Sequence, residues 1–435
     1  MEFFERYQAS DQAVLVHIDF NGSKFENSSI EEFEVLAKSC GLSILHTFDI
    51  KKTFLDSKYL IGKGKLSEIS DFIGSQGSVL VVFNFHLTPS QERELECFLK
   101  SRVIDRTSLI LDVFASRART YEGKLQVELA QLRHLSTRLV RGWSHLERQK
   151  GGIGLRGPGE KQLETDKRLI GYRIKAVSKK LKNVVKQREQ TRKSRINSRV
   201  PVVSLVGYTN AGKSTLLNKM TNSDIYAADQ LFATLDPTFR KYKLAKFMHC
   251  VLADTVGFIS NIPHELILSF NATLQEIKKS DLILHVIDAN DPQTFETRLR
   301  TVNSVLSDIG ANDIPLLHVY NKIDVSGISP RIEYSSDNRI SSVWVSSVSQ
   351  SNESLYLLNE AIIDKLNLKY LYIDFSIPGD HADYLSLLAS SAEILGDIHS
   401  KYNNYLVKVK VSEIIYKKLL HNTKGKLENF VTSCR

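Results

Sequence analysis

The sequence has 435 residues, 42% of them hydrophobic and 25% charged, with a formal net charge of +9. That exceeds one core of about 100–200 residues, so several globular domains are expected. No run of about 18 apolar residues occurs, which argues against a membrane-spanning helix; the start "MEFFERYQASDQ" is acidic where a signal peptide needs a basic flank and an apolar stretch. A cytoplasmic monomer with no integral membrane segment is the expectation.

Residues 1–115 alternate apolar and amphipathic stretches. "AVLVHIDF" (13–20), "LSILHTFDI" (42–50) and "SVLVVFNF" (78–85) are predicted strands; "SIEEFEVLAKSC" (29–40) and "TPSQERELECFLK" (88–100) are predicted helices. Thr88 is placed as an N-cap, with Pro89 at the first helical position. A small α/β domain with a mostly parallel sheet follows.

Residues 116–199 change character. Leu125, Leu132, Leu139 and Leu146 recur every seven residues, with Leu129, Ser136 and Trp143 as a second seam; Ile170, Val177 and Val184 resume the pattern, interleaved with Ile174 and Leu181. Two heptad-patterned helices predict a long antiparallel hairpin. Its tip would be "GGIGLRGPGE" (151–160), where glycines permit close backbone approach and Lys150, Arg156 and Lys161 supply charge. From Arg173 to Arg199 basic residues outnumber acids eleven to one, with Arg192, Lys193 and Arg195 near the end. Such a run calls for an anionic neighbour, with nucleic acid the leading one. Lys150, Arg156, Lys161, Arg192, Lys193 and Arg195 are therefore the candidates for nucleic-acid contact.

Residues 200–366 are predicted to form the nucleotide domain. "GYTNAGKS" (207–214) satisfies G-x-x-x-x-G-K-[ST] between an apolar strand and a helix. Gly207 and Gly212 let backbone N–H groups turn onto phosphates, Lys213 adds a point charge, and Ser214 offers a hydroxyl to Mg²⁺ at a helix N-terminus. Asp254, ending "VLAD" (251–254), can hold the same ion through water, and Gly257 offers a bare N–H to a γ-phosphate. Thr234 in "LFATLDPT" (231–238) is the candidate switch threonine. Asn321, Lys322 and Asp324 end a strand, and the Asp324 carboxylate can accept from guanine N1 and its exocyclic amine, a pair adenine lacks. "VWVSSVS" (343–349) is read as a further strand, with Ser346 and Ser347 closing over the base.

The catalytic candidates are Lys213, Thr234 and Gly257; the metal candidates are Ser214, Thr234 and Asp254. The wider nucleotide set adds Tyr208, Thr209, Asn210, Ala211, Thr215, Phe232, Ala233, Leu235, Asp236, Thr255, Val256, Ile323 and Val348. Asn210 is a candidate to hold a K⁺ ion, as an asparagine in this loop does in related GTPases; the alternative is a loop-stabilising side chain. Phe258 stands where many GTPases carry a water-orienting glutamine, so slow intrinsic turnover and activation by a partner are expected.

Residues 367–435 predict a small α+β domain: a strand at 370–377, a helix at 382–395, a strand at 404–412 and a final helix. Cys40, Cys97, Cys250 and Cys434 are far apart without metal-ligand spacing and read as thiols in a reducing compartment.

The motifs together resemble the HflX family of translational GTPases. The matching stretches are "YLIGKGK" (59–65), "LTPSQERELE" (87–96), "VIDRTSLILDVFASRARTYEGKLQVELAQL" (103–132), "GGIGLRGPGE" with "QLETD", "GYTNAGKST", "LFATLDPT", "ADTVGFI" and "NKID". They run from about residue 13 to 324. The resemblance implies binding of GTP and GDP, Mg²⁺, association with the large ribosomal subunit and its rRNA, and a role in ribosome dissociation, rescue or biogenesis. Lys161 and Ser347 depart from the family pattern; the first adds charge to a basic tip, the second acts mainly through backbone. A second reading is a GTP-dependent signalling or scaffolding switch held peripherally at an acidic membrane surface by the basic helix.

Overall fold

The computed structural model describes residues 12–434 except 21–29, 53–55, 143–157, 197–199, 223–237, 247, 256, 258–275, 291–294, 369 and 402. The chain divides into two compact units. The first holds β1 (Gln12–Phe20), α1 (Ile30–Ser39), β2 (Ser43–Lys52), α2 (Lys63–Gln76), β3 (Leu80–Phe83), α3 (Pro89–Leu99), β4 (Val103–Asp105), α4 (Arg106–Arg117) and α5 (Tyr121–Gly142). Strand order is β2-β1-β3-β4, and each pairing is parallel. A parallel sheet must be covered on both faces, and β1 divides its residues accordingly. Ala13 and Leu15 join one core with α1 and α4, while Val14, Val16 and Ile18 join the other with α2 and α3. The Thr88 cap is a full capping box with Gln91.

α6 (Pro158–Ile196) follows, a 39-residue helix. It begins earlier than the sequence suggests: Gly159 and Lys161 lie in its first turn rather than in a loop. Pro158 explains this, since its fixed φ suits the first helical position and its missing N–H costs nothing there. Leu125, Leu129 and Leu132 pack with Val177, flanked by Ile170, Ile174, Leu181 and Val184, so the heptad seam is real. Trp143, Leu146 and the tip through Gly157 lie outside the described residues.

α5 is held near its C-terminal end by Asp105, which is fully buried. Ser108 donates its N–H and its hydroxyl to Asp105 Oδ1, each at 2.8 Å. Arg138 from α5 reaches Oδ2 at 2.7 Å, and His86 Nδ1 lies 3.1 Å away. Burial pushes this carboxyl's pKa up, but His86, His134 and Ser108 together pull it below its ordinary value.

The second unit contains two sheets. β5 (Val202–Gly207), α7 (Lys213–Thr221), β6 (Thr238–Ala245), β7 (Met248–Asp254), β8 (Leu282–Asp288), α8 (Phe295–Asp308), β9 (Leu316–Asn321), α9 (Ile323–Ser326), β10 (Arg331–Tyr334), β11 (Ile340–Trp344) and α10 (Glu353–Lys365) build the first. Its order is β10-β11-β9-β8-β5-β7-β6, parallel except at the edge strands β10 and β6. The chain leaves β5 toward β7 and later returns to β8 on its other side. The carboxyl end of β5 is therefore a switch point, where open α/β sheets place ligands.

His285 and His318 face each other across β8 and β9, ring centroids 5.5 Å apart. Burial, then His318 and Lys213, push the His285 pKa down to about 3. The folded state therefore holds this ring neutral while the unfolded chain protonates it near 6.5. Its contribution is complete above about 6.5 and is lost as pH falls toward 3. Between pH 6.5 and 5 unfolding should lose about 2 kcal/mol from this group. In urea titrations His285→Leu should flatten the slope of stability against pH by about one proton; an unchanged slope would count against it.

The last sheet is formed by β12 (Tyr370–Pro378), β13 (Glu393–Lys401), β14 (Asn404–Ser412) and β15 (Val431–Cys434), with α11 (Asp383–Ser391) and α12 (Glu413–Asn422). Order is β13-β14-β12-β15, antiparallel throughout. The predicted helix over 382–395 is corrected here: it stops at Ser391. Ala392 is extended (φ −145°, ψ 166°) and Glu393 enters β13. Pairing with β14 overrides the local helical pattern. Among the described residues no helix is long and apolar enough to cross a membrane.

Candidate nucleotide site

β5 delivers the glycine loop to the switch point. Gly207 has φ 152°, and a Cβ there would meet the Val286 carbonyl oxygen at 2.2 Å; Gly212 has φ 85°, and its Cβ would meet Asn321 Nδ2 at 2.3 Å. Both positions exclude any side chain, one for the neighbouring strand β8 and one for the last residue of β9. Gly212 precedes the first turn of α7, so that helix's free N–H groups end at the loop.

Lys213 is buried, and its ammonium donates to the carbonyls of Gly207 (3.0 Å) and Tyr208 (2.7 Å). Burial pushes its pKa down to about 8, and the charge of Asp254 pulls it back up. An anionic phosphate beside it would stabilise the charged form further. Ser214 donates its hydroxyl to Asp254 Oδ2 at 3.1 Å, so two hard oxygen donors meet at the start of α7. Thr255 donates to the Leu205 carbonyl at 2.6 Å and ties the end of β7 to β5. Tyr208 carries the Arg298 guanidinium over its ring at 5.3 Å. Asn210 is exposed with φ 62°, a left-handed position that asparagine tolerates. Thr209 and Ala211 are buried in the loop, and Thr215 is half-buried in α7.

The base-side residues form one network. Asn321 is fully buried; its Nδ2 donates to the Ala211 carbonyl (2.9 Å) and its Oδ1 accepts from the Ser347 N–H (3.1 Å). It therefore fastens the glycine loop to the loop after β11. The Ser346 hydroxyl donates to Asp324 Oδ1 at 2.5 Å and accepts from the N–H groups of Val348 (3.3 Å) and Ser349 (3.0 Å). The predicted strand over 343–349 is corrected: β11 ends at Trp344, because these hydroxyl–backbone bonds turn the chain. Ile323 is buried beneath Asp324, and Val348 is exposed.

Three residues at the site were missed. Asp288, at the carboxyl end of β8, pairs with Lys322 at 2.8 Å; Lys219 donates to the Ser346 carbonyl at 3.1 Å and to that of Ser349; and Arg298 is the cation over Tyr208. Only Asp288 had a readable signal, an acid closing an apolar strand. Phe232, Ala233, Thr234, Leu235, Asp236, Val256 and Phe258 lie outside the described residues, which leaves Gly257 isolated between undescribed neighbours. Lys150 and Arg156 also lie outside them. Lys161, Arg192, Lys193 and Arg195 are in α6, with side chains that are not described.

A glycine loop between a buried strand and a helix, at the switch point of a seven-stranded sheet and fastened to an Asn-Lys-x-Asp strand end, defines a P-loop GTPase domain. Residues 202–322 match the family described as 50S ribosome-binding GTPase; residues 27–115 and 117–195 match the GTP-binding GTPase N-terminal and middle regions. The chain is 53% identical over 365 residues to the GTPase HflX of Escherichia coli (strain K12), covering 84% of this chain and 85% of that one. With the GTPase HflX of Caldanaerobacter subterraneus subsp. tengcongensis it shares 41% over 423 residues, 97% and 94% of the two chains. The chain belongs to the HflX family of GTPases, and it binds and hydrolyses GTP. A GTP-binding protein of Sulfolobus solfataricus solved with GDP is 22% identical, covering 82% of this chain and 98% of that one, at a TM-score of 0.43; that likeness is too loose to bear on the site.

Proposed function

We propose that this GTPase acts on the large ribosomal subunit, in ribosome dissociation, rescue or biogenesis, with the helical arm reading rRNA while the glycine loop holds the nucleotide. The observation that carries the arm's role is the exposure of Lys175, Lys179, Lys180, Lys182 and Lys186 along α6. Five solvated ammonium groups on one helix repel each other and are relieved by phosphates. The description of the family matched by residues 202–322 supports the ribosome as the source of those phosphates.

At the nucleotide, Lys213 supplies charge to the β- and γ-phosphates and Asp324 selects guanine. Ser214 and Asp254 would hold Mg²⁺, with Thr234 the third candidate ligand; the ion would neutralise charge developing on the phosphates. Gly257 offers its N–H to the γ-phosphate, and a K⁺ ion beside Asn210 belongs to the same proposal.

Deleting Gly151–Gly159 should leave nucleotide binding intact and weaken ribosome binding. Log affinity falls with log salt by about 0.7 to 0.9 per phosphate neutralised, so losing Arg156 should flatten that slope by roughly one unit if it meets one phosphate. Neutralising Arg192, Lys193 and Arg195 should act likewise. The measurement is ribosome co-sedimentation at several salt concentrations. Unchanged affinity and slope in both variants would leave the tip a passive turn and α6 a solvated helix.

A further inference from the structure

The last domain has a surface that the nucleotide chemistry does not use. In its β-α-β-β-α-β order, α11 and α12 cover one face of the sheet through Leu388 and Leu419. Along β12, Ile373, Phe375 and Ile377 turn into that core, each nearly fully buried. Strand alternation therefore puts Tyr372 on the opposite face, where it is 48% exposed. It stands on a central strand and belongs to no apolar core.

Its neighbours on that face carry both signs: Asp374 follows it on β12, and lysines stand across on β14. Lys410 is directly across on β14, with its ammonium 6.0 Å from the Tyr372 ring centroid and 4.4 Å from that of Tyr370. Lys408, exposed, stands opposite Asp374 one pair further along the face. The exposed aliphatics of this face, Leu395 and Leu406, do not join Tyr372 in one patch, because Lys408 occupies the position between them. An apolar protein footprint needs that continuity. A half-exposed ring beside two ammonium groups instead suits a nucleobase and its phosphates: the ring takes the base face and the ammoniums take the anionic oxygens.

We propose that the open face of this domain binds single-stranded RNA, with Tyr372 stacking on one base and Lys408 and Lys410 meeting the adjoining phosphates. β14 presents lysines and Leu406 where a second ring would stand, so one stacked base is expected rather than a run. Asp374 and Glu393 share the face, and Glu393 lies 3.8 Å from Lys246. Binding is thus driven more by stacking than by charge, and its salt dependence is shallower than that of the basic arm.

The test uses the full chain with GDP and a short fluorescein-labelled oligouridylate, followed by anisotropy. Tyr372→Ala should weaken binding by about tenfold, and Tyr372→Phe should bind like the parent. Thiouridine photo-cross-links should map to β12 and β14 peptides, and GDP affinity should be equal in all three proteins, reporting an intact fold. Equal RNA affinity in the parent and Tyr372→Ala, or cross-links confined to α6, overturns the proposal and leaves RNA to the arm. Loss of ribosome binding by Tyr372→Ala with oligouridylate binding unchanged assigns the face to a protein partner and overturns it equally. The proposal does not rest on ribosome action: a chain with no affinity for ribosomes passes or fails the oligouridylate test all the same.

Discussion

Asp324→Asn is expected to weaken GTP binding by about a hundredfold or more and to admit xanthine nucleotides. A charge-assisted hydrogen bond contributes about 1.5–3 kcal/mol. Asparagine loses one such bond outright and sets two donors against each other, which costs about 1–3 kcal/mol more, so the total is about 3 kcal/mol, or roughly two powers of ten. The carboxylate is well placed for this, since the Ser346 hydroxyl fixes Oδ1 at 2.5 Å. The same hydroxyl can donate to an amide oxygen, so the substitution leaves the loop after β11 folded and changes only the pattern offered to the base. An amide still accepts from N1–H but now donates toward the exocyclic position, where xanthine carries an oxygen and guanine an amine. Competition binding with GTP and its xanthine counterpart measures the switch. GTP affinity equal to the parent's would remove Asp324 as the base reader.

Large ribosomal subunits are expected to raise GTP hydrolysis by about a thousandfold or more, as completion of a GTPase site by a partner does elsewhere. The isolated chain lacks a glutamine at the position after Gly257, where it carries Phe258. A phenyl ring can neither accept a proton nor orient an attacking water, so the isolated rate should sit near the roughly 10⁻⁴ s⁻¹ of unassisted small GTPases. Phosphate release in the presence and absence of subunits, each in KCl and in NaCl, tests both the stimulation and the K⁺ ion at Asn210. Fast turnover by the isolated chain would sink the first expectation, and equal rates in the two salts the second.

Much of the site is written in local sequence. Gly207, Gly212, Lys213 and Ser214 stand at fixed spacing because one turn between strand and helix must expose backbone N–H groups and carry two polar side chains. That requirement spans eight consecutive residues, from Gly207 to Ser214. The hairpin seam is legible for the same reason: Leu125, Leu129 and Leu132 on one helix, and Ile170, Ile174, Val177, Leu181 and Val184 on the other, recur at helical spacing, and the period of a helix depends on no distant residue.

Tertiary structure decided what depends on distant partners. Asn321 joins Ala211 to Ser347 across gaps of 110 and 26 residues, and no local pattern assigns an asparagine that role. Asp105 looks like an N-cap and is one for α4, yet its burial and its bond to Arg138 exist only because α5 folds back over it. The same holds where expectation and structure part. Residues 393–395 carry a helical apolar pattern but lie in β13, since hydrogen bonds to β14 outweigh a propensity of a few tenths of a kcal/mol per residue. By itself, the sequence determined the chemistry of the phosphate loop and the seam of the arm, because each is a short-range repeat of one backbone geometry. Which strands adjoin, which hydroxyls bend the chain after Trp344, and which face of the last sheet stays open are settled by pairing and burial between residues far apart in the chain.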